Sequence, residues 1–410
     1  MPWLETGVRD QRIQFVTAAT QPRANVTAVC RGFGISRTTG YKWLRRRVEA
    51  GSVTALADRS RRPHHSPHRT SEAVTARVVA LREMYGWGGE KLVPLLAAEG
   101  LTLAARTVDR IIAREGLTRV DVAPAAAPQR FARDAPNELW QMDAKGHYPI
   151  RPGRRCHPLS IVDDHSRYAV GLFALPTLHG AGVRAALVAC FEQYGVPAAM
   201  LVDHGSPWWA TQNAAGLSAV SVFLLKQGIR LLHGRVRHPQ TQGKVERFHR
   251  TLAERLRWWG VPTNLEGFRT AFAEFRDEYN QVRPHEALGQ EPPALHFQPS
   301  RRAYRPQPPP WEYPSGSAVY RVDRNGMITV TGTRVFVTET LVGEQVACVR
   351  LAQQLLVLYR TMYVREVDLH TGRTRSLLRP VDAAGPMDAN HASTGPWKTH
   401  RPRFPPRPQA

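Results

Sequence analysis

The sequence predicts a multidomain protein in which N-terminal all-α units precede a central α/β core and a small C-terminal all-β barrel. At 410 residues the chain is too long for one compact core. Two segments with helical periodicity come first and end at the Pro- and Ala-rich stretch 121–136. Strands and helices then alternate, and short strands separated by turns follow beyond residue 315.

The charge of the chain indicates the class of its partner. There are 56 Lys and Arg residues against 34 Asp and Glu residues, which gives a net charge of +22 and a pI near 10.7. Arg residues are spread over the N-terminal part, the middle and the tail. This spread favours phosphate contacts along an extended polyanion over a single membrane patch.

Cysteine usage and hydropathy indicate the cellular compartment of the protein. None of the four cysteines has the spacing of a zinc site, so we expect them to be reduced and mostly buried. A group of histidines at 64–68 lies in a Pro-, Arg- and Ser-rich stretch, which indicates a loop. There is no signal peptide pattern and no apolar run of spanning length, so the expectation is a soluble, intracellular protein without a membrane partner.

The first helical segment has the pattern of a helix-turn-helix unit. Residues 9–47 look helical, with a break at Gly34 and a second helix that begins at the N-cap residue Ser36. Gly40 costs about 1 kcal/mol in a helix interior and weakens the pattern slightly. A purely structural three-helix unit is the alternative. The anchoring residues of this second helix would be Tyr41, Trp43 and Leu44, and the exposed basic residues that could contact DNA are Arg37, Lys42 and Arg45.

A second unit of the same kind extends from Glu72 to Leu117. Its last helix would place Val108, Ile111 and Ile112 inward. The basic residues on the outer face are Arg106, Arg110 and Arg114, and the candidate DNA contacts among them are Arg106 and Arg110. Two modules in tandem would cover more DNA than one. The alternative is a unit that packs without touching DNA.

The central region predicts an α/β domain. A strand at Leu139–Ala144 carries Asp143 on its polar face, and strands at 159–163 and 168–175 form a hairpin. A short apolar strand ends at Asp203, the edge at which open α/β sheets place ligand-binding groups. With helices at 181–194 and 213–227, a strand at 229–232 and a closing helix, the element order is that of a ribonuclease H-like fold.

The closing helix begins in the stretch HPQTQGKVERFHRTL, residues 238–252, and carries Glu246 on the flank of its buried stripe. Taken alone, Glu246 could form a solvated i,i+4 pair with Arg250. Taken with Asp143 and Asp203, it completes a set of three carboxylates. Such a set without Cys or His suits Mg²⁺ or Mn²⁺, and phosphodiester chemistry uses two such ions, so these acids are the candidate metal ligands and catalytic residues. Like charges that cluster repel unless a cation lies between them.

Other groups in the core compete for functional roles. Asp163 and Asp164 form a second acidic pair, but they precede a hairpin turn that Asp164 can cap. Lys244 is a candidate DNA contact, although on a regular helix it points about 160° away from Glu246. The remaining candidates for phosphate contact on this helix are Arg247, His249 and Arg250, each of which could instead be solvated or paired.

These segments resemble the insertion-sequence transposases of the integrase (DDE) type, with a catalytic core like that of retroviral integrases. The motifs that carry the resemblance are WQMD ending at Asp143, IVDDHSR at 161–167, DHGSP from Asp203, the stretch around Glu246, and YNQVRPHEALG at 279–289. The resemblance implies an enzyme that nicks transposon ends and joins the freed 3′ hydroxyls to target DNA. Two departures from the family pattern are His204 in place of the common Asn, and a longer interval between Asp203 and Glu246.

The C-terminal region predicts a separate small domain. A helix with Phe268, Phe272 and Phe275 in register first extends the core and ends before Pro284. From 318 to 368 short strands alternate with turns, including the hairpin signal Asn325-Gly326, which favours a small β-barrel. The predicted organisation is a helix-turn-helix domain at 1–57, a basic linker at 58–71, a second helix-turn-helix-like domain at 72–120, a linker at 121–136, the catalytic core at 137–260, a helical extension at 261–300, a β-barrel at 315–372 and a basic, disordered tail at 373–410.

The leading hypothesis is therefore a magnesium-dependent DNA transposase, a polynucleotidyl transferase that acts on double-stranded DNA in the bacterial cytoplasm, close to the nucleoid. A homo-oligomer on DNA is implied by the resemblance, since two transposon ends must be paired. The alternative is a catalytically inactive DNA-binding regulator derived from a transposase. A ribonuclease acting on RNA–DNA hybrids would leave the helix-turn-helix units without a role.

Overall fold

The computed structural model describes residues 7–58, 70–118, 132–151, 153–203, 205, 207–210, 216–233 and 243–380. The predicted histidine-rich loop, His204 and the tail beyond residue 380 lie outside these residues, as does most of the 121–136 linker. The chain divides into two compact units, Met1–Ser71 and Glu72–Ala410. None of the described helices is long and apolar enough to cross a membrane.

The first unit contains the helices α1 (Val8–Ala19), α2 (Val26–Gly32) and α3 (Arg37–Ala50). Ser36 caps α3 as predicted, since its side chain accepts a hydrogen bond from the amide of Thr39. Gly40 is buried, and a Cβ atom there would collide with Cys30 Sγ and lie 2.9 Å from the Phe15 ring. The residue that lowers helix propensity thus permits close packing of α3 on its neighbours. Tyr41 was predicted as an anchor of α3, but this is wrong, because its side chain faces outward and is 54% exposed.

The second unit begins with α4 (Glu72–Tyr85), α5 (Gly89–Ala98) and α6 (Ala105–Arg114). Val108, Ile111 and Ile112 of α6 are buried among residues of α4 and α5, which confirms the predicted inner face. The outer face exposes Arg106, Arg110 and Arg114.

The central domain contains a mixed sheet flanked by helices. In chain order its elements are β1 (Trp140–Ala144), β2 (Tyr148–Arg151), β3 (Arg154–Asp163), β4 (Ala169–Leu175), α7 (Gly180–Tyr194), β5 (Ala199–Val202), β6 (Trp209–Ala210), β7 (Gly216–Leu217), α8 (Ala219–Lys226), β8 (Arg230–His233), α9 (Gly243–Trp259) and α10 (Leu265–Asp277). Strand β1 lies between antiparallel β3 and parallel β5, with β4 beyond β3 and β8 beyond β5. The predicted strand and helix order is therefore present.

Three details of this domain differ from the sequence prediction. Strand β2, which pairs with the start of β3, was not predicted. The helix predicted at 213–227 begins only at Ala219, because Gly216 and Leu217 pair with β6 and Ser218 caps α8. After α10 the chain continues through a π-helical turn at Glu278–Val282 before it leaves the helix near Pro284.

The C-terminal region contains β9 (Ala318–Arg321), β10 (Met327–Val330), β11 (Thr333–Phe336), β12 (Gln345–Leu351), β13 (Gln354–Tyr359), β14 (Met362–Asp368) and β15 (Thr374–Pro380). Five of these strands form an antiparallel sheet in the order β15-β14-β13-β12-β9, and β10 pairs with β11 in a separate hairpin. Its two outer strands, β15 and β9, are not paired with each other in the part of the chain described, so the predicted barrel is an open sheet.

The detached hairpin explains why the barrel prediction was wrong. Asn325 and Gly326 make the predicted turn, but it connects β9 to β10, which belong to different sheets. The predicted tail also begins too early, because residues 374–380 form the edge strand β15. The inner face of the sheet packs against α7, α8 and their neighbours in one continuous hydrophobic core.

Candidate active site

Asp143 and Asp203 lie side by side because of the register of two parallel strands. Gln141 of β1 pairs with Leu201 of β5, so the positions two residues further along each strand are Asp143 and Asp203. Neighbouring strands are about 4.8 Å apart, and residues two apart face the same side. The carboxylates therefore meet at the carboxyl ends of adjacent strands, where the sequence pattern predicted ligand-binding groups.

Glu246 approaches this edge from the first turn of α9. The apolar stripe Val245, Phe248, Leu252 and Leu256 is buried against the sheet and α10, while Glu246 on its flank is exposed. Within the described residues Glu246 and Arg250 form no ion pair, so the solvated i,i+4 interpretation is not realised.

The electrostatics of Asp143 reflect the other two acids. The pKa of Asp143 is raised to about 6, with burial as the largest cause, the charge of Asp203 as the next that raises it and the charge of Glu246 as a smaller contribution. A hydrogen bond from the Ala144 amide, 2.8 Å long, opposes the rise. Over the described ranges, no three acidic, His or Cys side chains form a group that could hold a metal ion. Asp143 is nevertheless within electrostatic reach of both other carboxylates, which disfavour its charged form.

Trp208 contacts the acidic group and was missed by sequence reasoning. Its indole Nε1 donates a hydrogen bond to Asp203 Oδ1, which also accepts from the Gly205 amide at 2.8 Å. The Trp208 side chain is buried, and its carbonyl accepts a hydrogen bond from Ser221 at the start of α8. Asp203 is therefore held through one oxygen, and these contacts leave Oδ2 available. The only sequence signal was that Trp208 lies five residues beyond Asp203.

His249 lies one helical turn beyond Glu246 and faces the sheet. One ring nitrogen, Nε2, is 2.9 Å from Ser160 Oγ, and the other, Nδ1, is 3.6 Å from Asp143 Oδ2. Burial lowers the pKa of His249 to about 3, so the ring is neutral at pH 7 and its approach to Asp143 is not an ion pair. Lys145 Nζ donates to the His249 carbonyl at 2.8 Å. This buried placement argues against the phosphate contact predicted for His249.

Lys244 and the second acidic pair form a separate buried network. Lys244 Nζ lies 2.5 Å from Asp164 Oδ1, and burial lowers the pKa of this lysine to about 8. Asp164 also accepts hydrogen bonds from Gln141 Nε2 and the Arg133 amide. The lysine is thus engaged inside the domain, which weakens the DNA contact predicted for it.

Asp163, rather than Asp164, caps the hairpin turn. Its Oδ1 accepts from the amide and the hydroxyl of Ser166, and its Oδ2 accepts from the Asn137 amide at 2.7 Å. The carboxylate is fully buried. Both members of the pair are occupied by protein donors, so neither faces the cleft as a metal ligand would.

The remaining predicted DNA contacts lie at the surface. Arg247 and Arg250 are exposed on α9, one residue and one turn beyond Glu246. On the helical units the exposed residues are Arg37, Lys42 and Arg45 of α3, and Arg106 and Arg110 of α6.

Comparison with protein families agrees with this geometry. Residues 133–239 and 227–293 match two families described as integrase core domain. The chain carries an integrase core domain. Further matches are a helix-turn-helix domain at 11–64 and a homeodomain-like domain at 39–112, so the helical units in front of the integrase core are of a DNA-binding type. All three carboxylates lie inside the residues that match the integrase core.

Individual proteins similar to the chain come from insertion elements and retroviruses. It is 27% identical over 250 residues to an uncharacterized 39.2 kDa protein of insertion element IS476 from Xanthomonas euvesicatoria, covering 56% of the chain and 66% of that protein. It is 26% identical over 233 residues to an uncharacterized 31.7 kDa protein of insertion element IS407 from Burkholderia multivorans, covering 54% and 79%. The integrase core also aligns with the HTLV-2 integrase catalytic core domain in complex with magnesium, at 17% identity and a TM-score of 0.32 over 40% of this chain and 99% of that one.

Proposed function

We propose that the protein is a DNA transposase whose integrase core nicks DNA at the ends of its element and joins the freed 3′ hydroxyls to target DNA. The observation that carries this proposal is the meeting of Asp143 and Asp203 on adjacent strands, with Glu246 close enough to raise the pKa of Asp143. The similarity to proteins of two insertion elements supports the same conclusion.

Three mutually repelling carboxylates are costly unless a cation joins them, which supports a metal role for the group. The donor set fits a hard divalent ion, because it consists of carboxylate oxygens, and His249 beside Asp143 is already engaged with Ser160. We propose that Asp143, Asp203 and Glu246 hold two Mg²⁺ or Mn²⁺ ions. When bound, such ions would activate the attacking oxygen and stabilise the leaving oxygen.

The chain's own residues would prepare the site for this chemistry. Trp208 and the Gly205 amide fix one oxygen of Asp203, and the other oxygen is not engaged by these two donors. His249, neutral and held by Ser160, supports the side of the cleft next to Asp143 without adding positive charge. Arg247 and Arg250 on the same helix are placed to contact DNA phosphates.

The reaction itself consists of two phosphoryl transfers. In nicking, a water oxygen bonds to phosphorus and the bond to the 3′ oxygen breaks, which leaves a 3′ hydroxyl and a 5′ phosphate. In joining, the oxygen of that 3′ hydroxyl bonds to a phosphorus of target DNA and loses its proton, the bond from this phosphorus to the target's 3′ oxygen breaks, and the leaving 3′ oxygen takes up a proton. Two ends must be processed together, so we expect a homo-oligomer on double-stranded DNA, acting at the bacterial nucleoid in the cytoplasm.

The two helical units would recognise the ends of the element. The basic faces of α3 and α6 are exposed, and each is the third helix of its unit. In helix-turn-helix proteins such a helix enters the major groove. We therefore assign end recognition to Arg37, Lys42 and Arg45 on α3, and to Arg106 and Arg110 on α6.

The test is strand transfer with purified protein, Mg²⁺ or Mn²⁺, and labelled DNA that carries the ends of the element. Asp143→Asn and Glu246→Gln should each lower nicking and joining by roughly 10³-fold, since the metal contributes several kcal/mol of transition-state stabilisation. Glu266→Gln on α10 is a matched control, because Glu266 is exposed and pairs only with Arg269 among the described contacts.

Full activity in Asp143→Asn would refute the metal assignment. End-specific binding by the wild-type protein without any nicking or joining would instead support a DNA-binding regulator derived from a transposase.

A further inference from the structure

Helix α9 serves two regions of the second unit at its opposite ends. Its first turn carries Glu246 at the acidic site, and its last turns contact the end of α4. At about 1.5 Å per residue, roughly 18 Å of helix separates Glu246 from Trp258. One rigid element therefore connects the acidic group to the helical unit that carries α6.

The contact between α4 and α9, here called the α4–α9 junction, consists of directed hydrogen bonds. Trp258 Nε1 donates to the Glu83 carbonyl at 3.0 Å, and Arg255 Nη1 donates to the Met84 carbonyl at 2.8 Å. These carbonyls belong to the last turn of α4, where acceptors lack partners within the helix. Arg255 also pairs with Glu278, so the junction is tied to the π-helical turn after α10.

Close packing accompanies these bonds. Gly86 follows α4 with a φ of +72°, and a Cβ atom at this position would lie 3.3 Å from the Trp258 ring. The guanidinium of Arg255 lies 4.4 Å from the ring centroid of Trp259. The end of α4 thus fits against α9 without space for a longer side chain.

A second contact joins the same helical unit to the residues that follow α10. Lys91 Nζ on α5 donates to the Pro284 carbonyl at 2.7 Å, and the Arg283 guanidinium lies 5.4 Å above the Trp87 ring. Val282 packs against the core of the helical unit. The end of α4 and the start of α5 are therefore both held, one by α9 and the other by the residues that follow α10.

The outer face of α6 remains free of both contacts. Arg106 and Arg110 are exposed, whereas the buried face of α6 packs on α4 and α5. Asp109 also fixes α6 to α5, since its Oδ1 accepts the Gly89 amide at 2.7 Å. The exposed basic face of α6 is therefore connected, through packed contacts with α4 and α5, to helix α9, which carries Glu246.

We propose that the helical unit α4–α6 is a measuring element, which binds the duplex beside the cut and fixes the distance from the sequence it reads to the phosphodiester that is broken. This inference rests on the proposed function. DNA is its occupant because the exposed face of α6 is basic and a polyanion is the complementary partner. The α4–α9 junction and Lys91 are positioning groups, which touch no reacting atom.

The test is to loosen both contacts without altering the acidic group or the basic face of α6. The variant Trp258→Phe with Lys91→Met removes one side-chain donor from each contact and keeps apolar bulk at each position. Burial already lowers the pKa of Lys91 to about 8, so an uncharged side chain of similar length is tolerated there. Glu99→Gln is the matched control, since it breaks the exposed pair with Arg77 in the same helical unit but away from both contacts.

The readout is the position of the nick at nucleotide resolution on end-labelled DNA, with a footprint on the same DNA. We expect the wild type and Glu99→Gln to cut at one phosphodiester. The double variant should protect the same sequence but cut at neighbouring positions as well, with a several-fold rise in the displaced products. A misplacement of about 1 Å is enough to change such rates by roughly 10²-fold.

Two results would overturn the inference: an unchanged cut position at an unchanged rate, or a slower reaction confined to the original position. If the double variant does not fold, as judged by its melting curve, Trp258→Phe alone gives the same readout with a smaller change. A wild-type protein that never nicks its ends would refute the proposed function, whereas sharp cutting by the folded variants would refute only the measuring role.

Discussion

The integrase core contains two groups of acidic residues, and the sequence offers both as candidate metal ligands. The two groups differ in their burial and in their hydrogen-bond partners. Asp163 and Asp164 are fully buried and accept hydrogen bonds from six donor atoms of the protein in total, including the ammonium of Lys244. Asp143 has a 19% exposed side chain and accepts one amide hydrogen bond, and two further acids lie within electrostatic reach.

The direction of the pKa shift does not separate the two groups. The pKa of Asp163 is also raised, with burial as the largest cause and the hydrogen bonds from Ser166 and Asn137 opposing it. What differs is the second cause, since neighbouring carboxylates add to burial at Asp143 while protein donors oppose it at Asp163. In this protein, therefore, the neighbouring like charges distinguish Asp143 from Asp163, whereas the raised pKa alone does not.

The largest effect that tests this comparison is on stability at Asp164. We expect Asp164→Asn to lower the free energy of unfolding by about 3–5 kcal/mol, because it removes the carboxylate that balances the charge of the Lys244 ammonium inside the domain. Urea denaturation of the metal-free protein measures this. Asp143→Asn is the matched substitution in the other group, and it should cost nothing or stabilise the protein. Equal losses in both variants would erase the distinction between the two groups.

A smaller effect is expected at Trp208, which orients an acid of the functional group. Trp208→Phe removes the indole donor to Asp203 and keeps an aromatic ring in the buried site. Loss of one hydrogen bond to a charged group is worth about 1.5–3 kcal/mol, so apparent affinity for Mg²⁺ should fall by roughly tenfold or more.

The rate of strand transfer, measured over a range of Mg²⁺ concentrations, distinguishes a positioning role of Trp208 from a role in folding. The variant should regain most of the wild-type rate at high Mg²⁺ if the indole positions Asp203. A rate that stays low at every Mg²⁺ concentration, together with a lower melting temperature, would show a role in packing alone.

The local parts of the structure could be predicted from the sequence because they depend on neighbours along the chain. Ser36 caps α3 through a residue three positions away, and the buried face of α6 follows from a helical period. The pairing of Asp143 with Asp203 was predictable for a related reason. Asp143 lies near the end of an alternating strand and Asp203 directly follows a short apolar strand, and parallel neighbours bring such ends together.

The features that were missed depend on contacts between distant segments. Lys244 contacts Asp164, which lies 80 residues away in the chain, and Trp258 contacts Glu83, which lies 175 residues away. The periodicity of a local sequence segment cannot predict either contact. Gly40 is a similar case. Glycine has a poor helix propensity, but the close approach of Cys30 leaves no room for a larger residue at this position. Closure of the β-barrel was predicted from turn spacing, which does not determine whether the outermost strands pair.

The smallest predicted effect concerns the repulsion at Asp143 itself. Its pKa is about 6 in the folded protein against an ordinary value of 3.8, so between these values the folded state holds a proton that the unfolded state has lost. The stability of the metal-free protein should therefore fall as pH rises from about 4 to about 6, relative to Asp143→Asn, which cannot titrate at this position. We expect a difference on the order of 1 kcal/mol, because partial solvent exposure screens the charges.

Melting curves of the two proteins across this pH range, with and without Mg²⁺, measure the effect. At pH 7 Mg²⁺ should raise the melting temperature of the wild type by neutralising the group, and Asp143→Asn should respond less. Because Asp163 is present in both proteins, its own titration cancels in the difference. Parallel pH profiles would mean that the three carboxylates do not repel in solution, and the contrast with the satisfied pair Asp163 and Asp164 would then rest on hydrogen bonding alone.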